Sequence, residues 1–260
     1  MPKTDLDIDA LRTDLSKGIV GSRILYFDSL PSTMDRARAE AESGTAEGSV
    51  IVAEEQTKGR GRFQRQWLSP KGHNLLFSVV FRPSLEQLNQ MNMASSLTVT
   101  LALSRLANTE ATIKWPNDIR ISGKKIAGVL IESTLEASNV KYAVVGIGIN
   151  VNWSPPPESK LIYPATSLAE QIGKTTSRTD VLRAVLKELN TLYAQVKSGN
   201  SVREQWSKRL DTIGQHVRVG MGNDTLEGIA KDVDDKGNLV IQRTDGSTVA
   251  VAAGEVTLRT

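Results

Sequence analysis

Apolar and polar positions along the chain predict strands and helices in a mixed order. Short apolar runs favour strands at Val50–Ala53 and at residues 74–81. Apolar residues that recur every three or four positions predict amphipathic helices at Leu85–Ala107 and at about residues 179–197. This mixed order favours an α+β sandwich over a regular βαβ fold.

A shorter helix is predicted to begin at Ser32. Asp35 follows Ser32 at the spacing of a capping box, and Gly44 stands where it would end the helix. The hydroxyls of Ser32 and Thr33 could bind a polar ligand at this helix start, but an ordinary N-cap explains the same residues. The pattern alone leaves both interpretations open.

Three further strands are predicted in the middle of the chain. Residues 113–121 and 125–132 favour two strands joined by a turn at Ser122-Gly123, and residues 141–151 favour a third. Because Lys125 and Gly128 are three positions apart, a regular strand would place them on opposite faces.

The pattern changes after Leu210. Four or five short β runs within about 50 residues predict a small β-barrel. We therefore expect two domains, a larger one over residues 1–212 and a β-barrel over residues 213–260.

The composition excludes several kinds of chemistry. The 260 residues include no cysteine, which excludes thiol nucleophiles and Cys-based metal sites and fits a reducing compartment. The two histidines, His73 and His216, are far apart, which disfavours Ser–His–Asp catalysis and a histidine-rich metal site. The net charge of +3 permits anionic partners. No run approaches the roughly 20 apolar residues of a membrane span, so we expect a cytoplasmic protein with no membrane partner.

A segment after the strand at Val50–Ala53 combines glycines with arginines. Glycine lets backbone N–H groups approach an anion, and arginine binds carboxylate or phosphate through paired hydrogen bonds. The pattern predicts an anion site that a tryptophan could cover, but a solvated loop or an Arg-Gly nucleic-acid patch fits it equally well. The residues are Gly59, Arg60, Gly61, Arg62, Arg65 and Trp67.

Two other segments carry candidate site residues. Lys-Trp-Pro-Asn-Asp at residues 114–118 places polar side chains at a rigid corner, with Lys125 and Gly128 on the next strand. Lysines beside a surface hairpin are more often simply solvated. Glycines at 146 and 148 weaken a strand, which indicates that something packs closely against that backbone. They lack the third glycine and the strand–turn–helix setting of a dinucleotide fingerprint.

Together these segments resemble biotin protein ligases in residue identity, order and spacing. The resemblance rests on Gly-Arg-Gly-Arg at 59–62, Lys-Trp-Pro-Asn-Asp at 114–118, Lys125 with Gly128, and Gly-Ile-Gly-Ile-Asn at 146–150. It is strong over residues 29–152 and weaker into the C-terminal strands. It implies an α+β catalytic domain related to class II aminoacyl-tRNA synthetases, with a mixed sheet and helices. It also implies a small C-terminal β-barrel of the Src-homology-3 kind.

The resemblance also implies an activity. In this family the carboxylate of biotin attacks the α-phosphate of ATP, with Mg²⁺ on the phosphates, and gives biotinyl-5′-AMP. A lysine of a biotin carboxyl carrier protein then displaces AMP. The first 20 or so residues are too few for the DNA-binding domain that some members carry, so we expect the monofunctional type and no DNA partner. A monomer and a homodimer both remain compatible with the sequence.

The resemblance assigns roles to individual residues. The implied catalytic residues are Lys125, Arg62 and Asp118, although a carboxylate with a pKa near 3.9 is a poor base and Asp118 could act electrostatically. The implied biotin-binding residues are Ser32, Thr33, Gln56, Gly59, Arg60, Arg62, Lys125, Gly128, Gly146 and Gly148. The implied ATP- or adenylate-binding residues are Arg60, Arg62, Arg65, Trp67, Asn117, Lys125 and Asn150.

Two residues depart from the family pattern, and two other functions stay open. Met34 stands where the family commonly has asparagine, and Gln64 replaces a frequent glycine. A lipoate- or octanoate-attaching enzyme of the same fold would lack the two motifs at 59–62 and 114–118. A nucleic-acid-binding module would use the basic segment and the barrel, but few aromatic residues are interleaved with the basic ones.

Overall fold

A computed structural model describes residues 5–159, 161, 163–221, 224–252 and 254–258. Its helices are α1 (Ile8–Leu15), α2 (Thr33–Glu42), α3 (Leu85–Ala107), α4 (Leu168–Ile172), α5 (Arg178–Lys197) and α6 (Arg203–Ser207). Its strands are β1 (Ile24–Phe27), β2 (Val50–Ala53), β3 (Leu75–Phe81), β4 (Ala111–Lys114), β5 (Asp118–Ile121), β6 (Lys124–Glu136), β7 (Asn139–Ile149), β8 (His216–Met221), β9 (Asp224–Val233), β10 (Leu239–Gln242), β11 (Thr248–Val251) and β12 (Glu255–Leu258). Among the helices of these ranges, none combines the length and apolar composition that crossing a bilayer requires.

Seven strands form the main sheet in the order β1-β2-β3-β7-β6-β5-β4. β1 and β2 are parallel, and the other neighbours are antiparallel. Successive strand residues face opposite sides of the sheet. Val50 and Val52 therefore pack in one core with α1, α3 and α5, while Ile51 packs in another with α2. The sheet lies between two helical layers, and the predicted α+β class is confirmed.

The long helix α3 has the predicted bounds because both of its ends are capped. The side chain of Ser84 accepts a hydrogen bond from the Gln87 N–H, and the Gln87 side chain accepts one from the Ser84 N–H. At the other end Asn108 adopts a left-handed conformation with φ of 47°, which stops the helix. One face of α3 packs on the sheet and another on α5.

The run at residues 113–121 was predicted as one strand, and this is wrong. It forms a hairpin of β4 and β5, in which Lys114 pairs with Asp118 across a corner at Trp115-Pro116-Asn117. Proline has no N–H and a fixed φ, so the ladder cannot continue through it. The corner places Asn117 and Asp118 beside β6, as the rigid position of the proline predicted.

The C-terminal strands form a separate antiparallel sheet in the order β11-β10-β9-β8-β12, which confirms the predicted small β domain. One apolar core joins this sheet to the main body. Trp115 is buried in that core, and its indole N–H donates to the Gly237 carbonyl at 2.9 Å. Trp206 from α6 is buried beside it. The second sheet is thereby packed close to the corner that carries Asn117.

Candidate active site

One cavity brings together all of the predicted site residues except Gly59. It lies among the segment after β2, the first turn of α2, the first half of β6 and the last residues of β7. Gly254 and Val256 of the second sheet region also line it. Gly59 is at the base of the same segment, where its carbonyl accepts a hydrogen bond from the Trp67 N–H at 3.0 Å. Residues 54–68, which connect β2 to this cavity, are called the arginine loop below. Its predicted members in the cavity are Gln56, Arg60, Arg62, Arg65 and Trp67.

At one end of the cavity, three polar side chains form a chain of hydrogen bonds. The Thr33 N–H and hydroxyl both donate to Gln56 Oε1, at 2.6 and 2.9 Å, and the Ser78 hydroxyl donates to Thr33 Oγ1 at 2.8 Å. Ser32 is the N-cap of α2 but makes no side-chain capping bond. The predicted capping box is therefore wrong, and the Asp35 carboxylate that would complete it accepts two hydrogen bonds from Arg60 instead.

Ser78 was not predicted as a site residue. It is fully buried in β3, a strand in which every other side chain is apolar and buried. A single hydroxyl in a strand buried on both faces requires a hydrogen-bond partner. That signal was present in the sequence, and it would have indicated Ser78.

The glycines of β7 admit two side chains against the sheet. A Cβ atom at Gly146 would lie 2.7 Å from Met34 Sδ, and one at Gly148 would lie 2.6 Å from Trp67 Cε2. Real Cβ atoms do not approach so closely, so these positions accept only glycine without movement of a neighbour. The expectation that something packs against this backbone is confirmed.

Lys125 and Gly128 were predicted to face opposite sides of a strand, and this is wrong. The pairing of β5 with β6 shifts between Ile119 and Arg120, so one extra residue of β6 bulges out. A Cβ at Gly128 would lie 3.5 Å from Lys125 Nζ, which places both on the cavity side. The bulge brings Lys125 Nζ to 2.6 Å from Asp118 Oδ1 and 5.6 Å from the Trp67 ring centre.

At this second end of the cavity, Arg62 joins the arginine loop to two other elements. Its guanidinium donates to Asn117 Oδ1 and to the Gly254 carbonyl, both at 3.3 Å. Asn117 in turn donates to the Val129 carbonyl on β6. The guanidinium groups of Arg62 and Arg65 lie 4.9 and 5.7 Å from the Phe63 ring centre. This end of the cavity therefore concentrates positive charge and suits an anion.

Two polar atoms in the cavity wall are buried without a hydrogen-bond partner among the residues that the structure describes. They are the indole Nε1 of Trp67 and Oδ1 of Asn150. The other amide atom of Asn150 donates to the Thr166 carbonyl at 3.0 Å, which fixes the orientation of the amide. Buried polar groups are almost always satisfied, so an unsatisfied donor and acceptor in one cavity indicate a ligand with polar atoms of its own.

Arg60 reaches the cavity wall but bonds to carboxylates. Its guanidinium makes two hydrogen bonds to Asp35, at 2.7 and 2.9 Å, and lies 3.4 Å from Glu132 Oε1. The hydrogen bond from Arg60 lowers the pKa of Asp35, and the same bond raises the pKa of Arg60. The guanidinium of Arg60 is therefore held between the carboxylates of Asp35 and Glu132.

Tyr163 is a second residue that sequence reasoning missed. Its hydroxyl donates to the Val256 carbonyl of β12 at 3.0 Å, and Lys114 Nζ lies 3.6 Å from its ring centre. The Arg120 guanidinium lies 5.1 Å from the same ring. Tyr163 therefore joins the loop before α4, the β4–β5 hairpin and the second sheet. No local pattern marked it, because all three contacts are distant in sequence.

The cavity suits a ligand that has a hydrogen-bonding end and an anionic end. The family model described as "Biotin/lipoate A/B protein ligase family" matches residues 26–150, and "Biotin protein ligase C terminal domain" matches residues 212–259. The chain is 33% identical to the bifunctional ligase/repressor BirA of Bacillus subtilis, over 91% of this chain and 74% of that protein.

Two further comparisons agree. The biotin–[acetyl-CoA-carboxylase] ligase of Mycobacterium tuberculosis is 33% identical, over 84% of this chain and 82% of that protein. The biotin protein ligase from Aquifex aeolicus in complex with biotin and ATP superposes with a TM-score of 0.76 at 32% identity, over 91% of this chain and 98% of that one. The chain therefore belongs to the biotin protein ligase family and is a ligase.

Proposed function

We propose that this enzyme attaches biotin to a lysine of a biotin carboxyl carrier protein, with ATP, through biotinyl-5′-AMP. The observation that carries the proposal is a single cavity with a hydrogen-bonding cluster at one end and the Lys125, Arg62 and Asn117 group at the other. Similar proteins support each substrate: the Aquifex aeolicus structure contains biotin and ATP, and the Leishmania major structure contains biotinyl-5-AMP. A relative is named biotin–[acetyl-CoA-carboxylase] ligase.

The ureido ring of biotin needs both a donor and an acceptor. Thr33 and Gln56 line the cavity with hydroxyl and amide groups of both kinds, and the buried Ser78 supports Thr33 with a hydrogen bond from outside the cavity lining. The glycines of β7 let Met34 and Trp67 lie directly against the backbone, and these two side chains would form apolar walls beside a flat bicyclic group. We assign the ring to this end of the cavity and the carboxylate to the Lys125 end.

The first chemical step brings a carboxylate to a polyphosphate. Repulsion between two unit charges at ~4 Å is about 4 kcal/mol at an effective dielectric constant of about 20, so fixed positive charge must offset it. Arg62, Arg65 and Lys125 supply that charge in our assignment. A carboxylate oxygen forms a bond to the α-phosphorus, and the bond from that phosphorus to the bridging oxygen breaks. Pyrophosphate leaves with the electron pair.

A Mg²⁺ ion with the nucleotide would be held chiefly by the phosphates. Within the described ranges, no group of three or more Asp, Glu or His side chains could form a cage for a metal ion. Mg²⁺ commonly keeps its waters and binds substrate phosphates with only one or two carboxylates, so the donor set fits this mode. The ion would supply neutralising charge on the phosphate oxygens.

The second step transfers biotin to the carrier lysine. The amine attacks the acyl carbon of the adenylate, the bond from that carbon to the AMP oxygen breaks, and the amine loses a proton. Asp118 lies at the cavity with its carboxylate 2.6 Å from Lys125 Nζ, a position from which it can orient an incoming ammonium or amine. Trp67 lies over β6 and β7, and we propose that it shields the reactive anhydride from water.

The test is biotin-dependent ATP–pyrophosphate exchange. We expect Lys125→Ala and Arg62→Ala each to lower the exchange rate by roughly 10²- to 10³-fold, as for removal of one preorganised charge. Lys208→Ala removes an exposed lysine that pairs with Glu204, and it should behave as wild type. An exchange rate unchanged in Lys125→Ala would remove the proposed role of that residue.

A lipoate ligase is the second candidate, because the matching family model covers both biotin and lipoate enzymes. The hydrogen-bonding cluster at Thr33 and Gln56 favours biotin, since lipoate has no ureido group to satisfy it. Purified enzyme should be incubated with ATP, a carrier domain and either labelled biotin or labelled lipoate. Carrier labelling by lipoate alone would show that the biotin assignment is wrong.

A further inference from the structure

The first turn of α2 holds the arginine loop at two points. At the base of the loop, Gln56 accepts two hydrogen bonds from Thr33. Nearer its tip, Arg60 makes two hydrogen bonds to Asp35, two residues along the helix from the base contact. Two attachments to one rigid element fix the orientation of a loop, whereas one attachment lets it swing.

The Arg60 contact belongs to a cluster that carries no net charge. Arg38 also approaches Asp35, at 3.3 Å, and forms an ion pair with Glu132, which itself lies 3.4 Å from Arg60. Two arginines and two carboxylates therefore neutralise each other. A substrate anion at Arg60 would have to compete with Asp35 for the same guanidinium face.

The position of Arg60 determines the position of other loop residues. Arg60 pairs with Gln66 in an isolated antiparallel bridge, and the Trp67 N–H donates to the Gly59 carbonyl. The two arms of the loop are thus cross-linked next to Arg60. Trp67 lies at the end of one arm, and Arg62 lies two residues after Arg60 on the other. A displacement of Arg60 would therefore move Trp67 and Arg62 away from β6 and β7.

We propose that Asp35 is a positioning residue, which acts through Arg60 to hold the arginine loop over the Lys125 end of the cavity, where the proposed function places the nucleotide phosphates. In this assignment Arg60 acts mainly through its bond to Asp35 and not as a direct ligand of the substrate anions. The kinetic test of this inference rests on the proposed function, because it measures the KM for ATP in that reaction. The sequence had offered Asp35 only as part of a capping box, which the structure does not form.

The direction in which Asp35→Asn changes the KM for ATP distinguishes two roles of Arg60, positioning of the loop and direct binding of substrate anions. If Asp35 positions the loop, the isosteric amide weakens the bidentate pair, and the KM for ATP should rise roughly three- to ten-fold, the range for one charge-assisted contact. If Arg60 binds substrate anions directly, Asp35 competes with them, and Asp35→Asn should leave the KM unchanged or lower it. Biotin affinity should stay within about two-fold of wild type, because Thr33 and Gln56 are untouched.

Four companion variants complete the test. Asp35→Glu should recover most of the wild-type KM, since it retains the charge. Arg60→Met and the Asp35→Asn/Arg60→Met double variant should have the same KM, because both remove one shared contact. Asp9→Asn, which disrupts an exposed pair with Arg12 on α1, should leave the KM for ATP unchanged.

A readout independent of activity is cleavage of the arginine loop by trypsin. Loop opening exposes the arginine peptide bonds, so Asp35→Asn should be cut faster at residues 60–65 than wild type, and Asp9→Asn should not.

If wild type shows no biotin-dependent exchange, the proposed function fails, and the proteolysis still tests the loop contact. Equal cleavage of Asp35→Asn and wild type, or a KM that does not rise, would overturn the proposal. A matched loss of biotin affinity and thermal stability would also overturn it, since that result indicates a general structural role.

Discussion

At the scale of single residues, the indole of Trp67 lies directly against the backbone of β7 at Gly148. Gly148 has no positive φ, so an alanine there is limited only by space. The added methyl would lie within 3.0 Å of three indole atoms. The indole is carried by a loop and the strand by a sheet, so the indole must move.

We therefore expect Gly148→Ala to lower biotin-dependent exchange at least about ten-fold, because overpacking of about 1–3 kcal/mol is relieved by displacing Trp67. Gly220→Ala is the matched control. Gly220 also lies in a strand without a positive φ, and no atom of the described residues comes within 4 Å of its built Cβ. Both variants should be compared in exchange rate and thermal unfolding. Equal rates in the two variants would mean that the Trp67 contact is unimportant.

The sequence predicted which residues form the site better than it predicted the conformations that these residues adopt. The glycine and arginine positions were recognisable because their chemistry is carried by the residue types themselves. The capping box failed for a physical reason: the Asp35 carboxylate is bound by Arg60, which is 25 residues away. Local spacing cannot reveal a competing donor that the tertiary fold supplies.

At the scale of elements, Tyr163 is the residue that couples the loop before α4 to β12 of the second sheet. Tyr163→Phe removes the hydroxyl that donates to the Val256 carbonyl and keeps the ring beside Lys114. Loss of one such hydrogen bond amounts to about 0.5–1.5 kcal/mol. We expect the KM for ATP to rise roughly two- to ten-fold with unchanged biotin affinity.

A tyrosine elsewhere gives the control for this prediction. Tyr142→Phe also removes a hydroxyl bond, to Glu42 at 2.7 Å, but at the far end of α2. Steady-state kinetics with varied ATP should separate the two variants. If Tyr142→Phe raises the KM as much as Tyr163→Phe, the effect is on general stability and not on the closure of the cavity by β12.

Most strands and both long helices followed from the periodicity, but the register of β6 did not. A bulge depends on which residues of the neighbouring strand form hydrogen bonds, and the sequence of one strand does not contain that information. The consequence is functional, since the shift turns Lys125 to the side of Gly128 and Asp118. The hydrogen bond from Tyr163 to the Val256 carbonyl of β12 could not be predicted for the same reason.

At the scale of the whole molecule, a buried ion pair joins the N-terminal segment, β2 and α5. Arg178 is 1% exposed and donates to Glu54 at 2.7 Å, and Glu54 is itself 4% exposed. Arg178 also pairs with Asp5. Glu54 directly follows β2 and begins the arginine loop, so this pair anchors the loop to the core.

Arg178→Met should lower the free energy of unfolding by about 3–5 kcal/mol, because it takes the guanidinium away from a buried carboxylate. The double variant Arg178→Met/Glu54→Leu should be more stable than Arg178→Met alone, since no buried charge remains. Urea denaturation measures both. Lys208→Met, in an exposed pair, should change stability by less than about 1 kcal/mol. A double variant no more stable than the single one would contradict this account.

The stability of the molecule should also depend on pH through Glu47. Burial raises the pKa of Glu47, but hydrogen bonds from Lys197, Tyr193 and the Arg82 N–H outweigh it, so the net shift is downward. A carboxyl with a lowered pKa in the folded state stabilises the fold fully above its unfolded pKa of about 4.3. This stabilisation is lost as the pH falls through the folded pKa.

Glu47→Gln removes the ionised group and should destabilise the protein by about 1–3 kcal/mol at pH 7, as expected for hydrogen bonds to a charged acceptor. The difference from wild type should begin to shrink as the pH falls below about 4.3, because Glu47 is then protonated in the unfolded state, and it is lost as the pH falls through the lower pKa of the folded state. Urea denaturation at pH 7, pH 5 and pH 3.5 follows the difference. Glu136→Gln changes an exposed glutamate at the end of β6 and should track wild type at each pH. A Glu47→Gln deficit that stays constant down to pH 3.5 would mean that packing of the side chain, and not its charge, holds α5 to the end of β3.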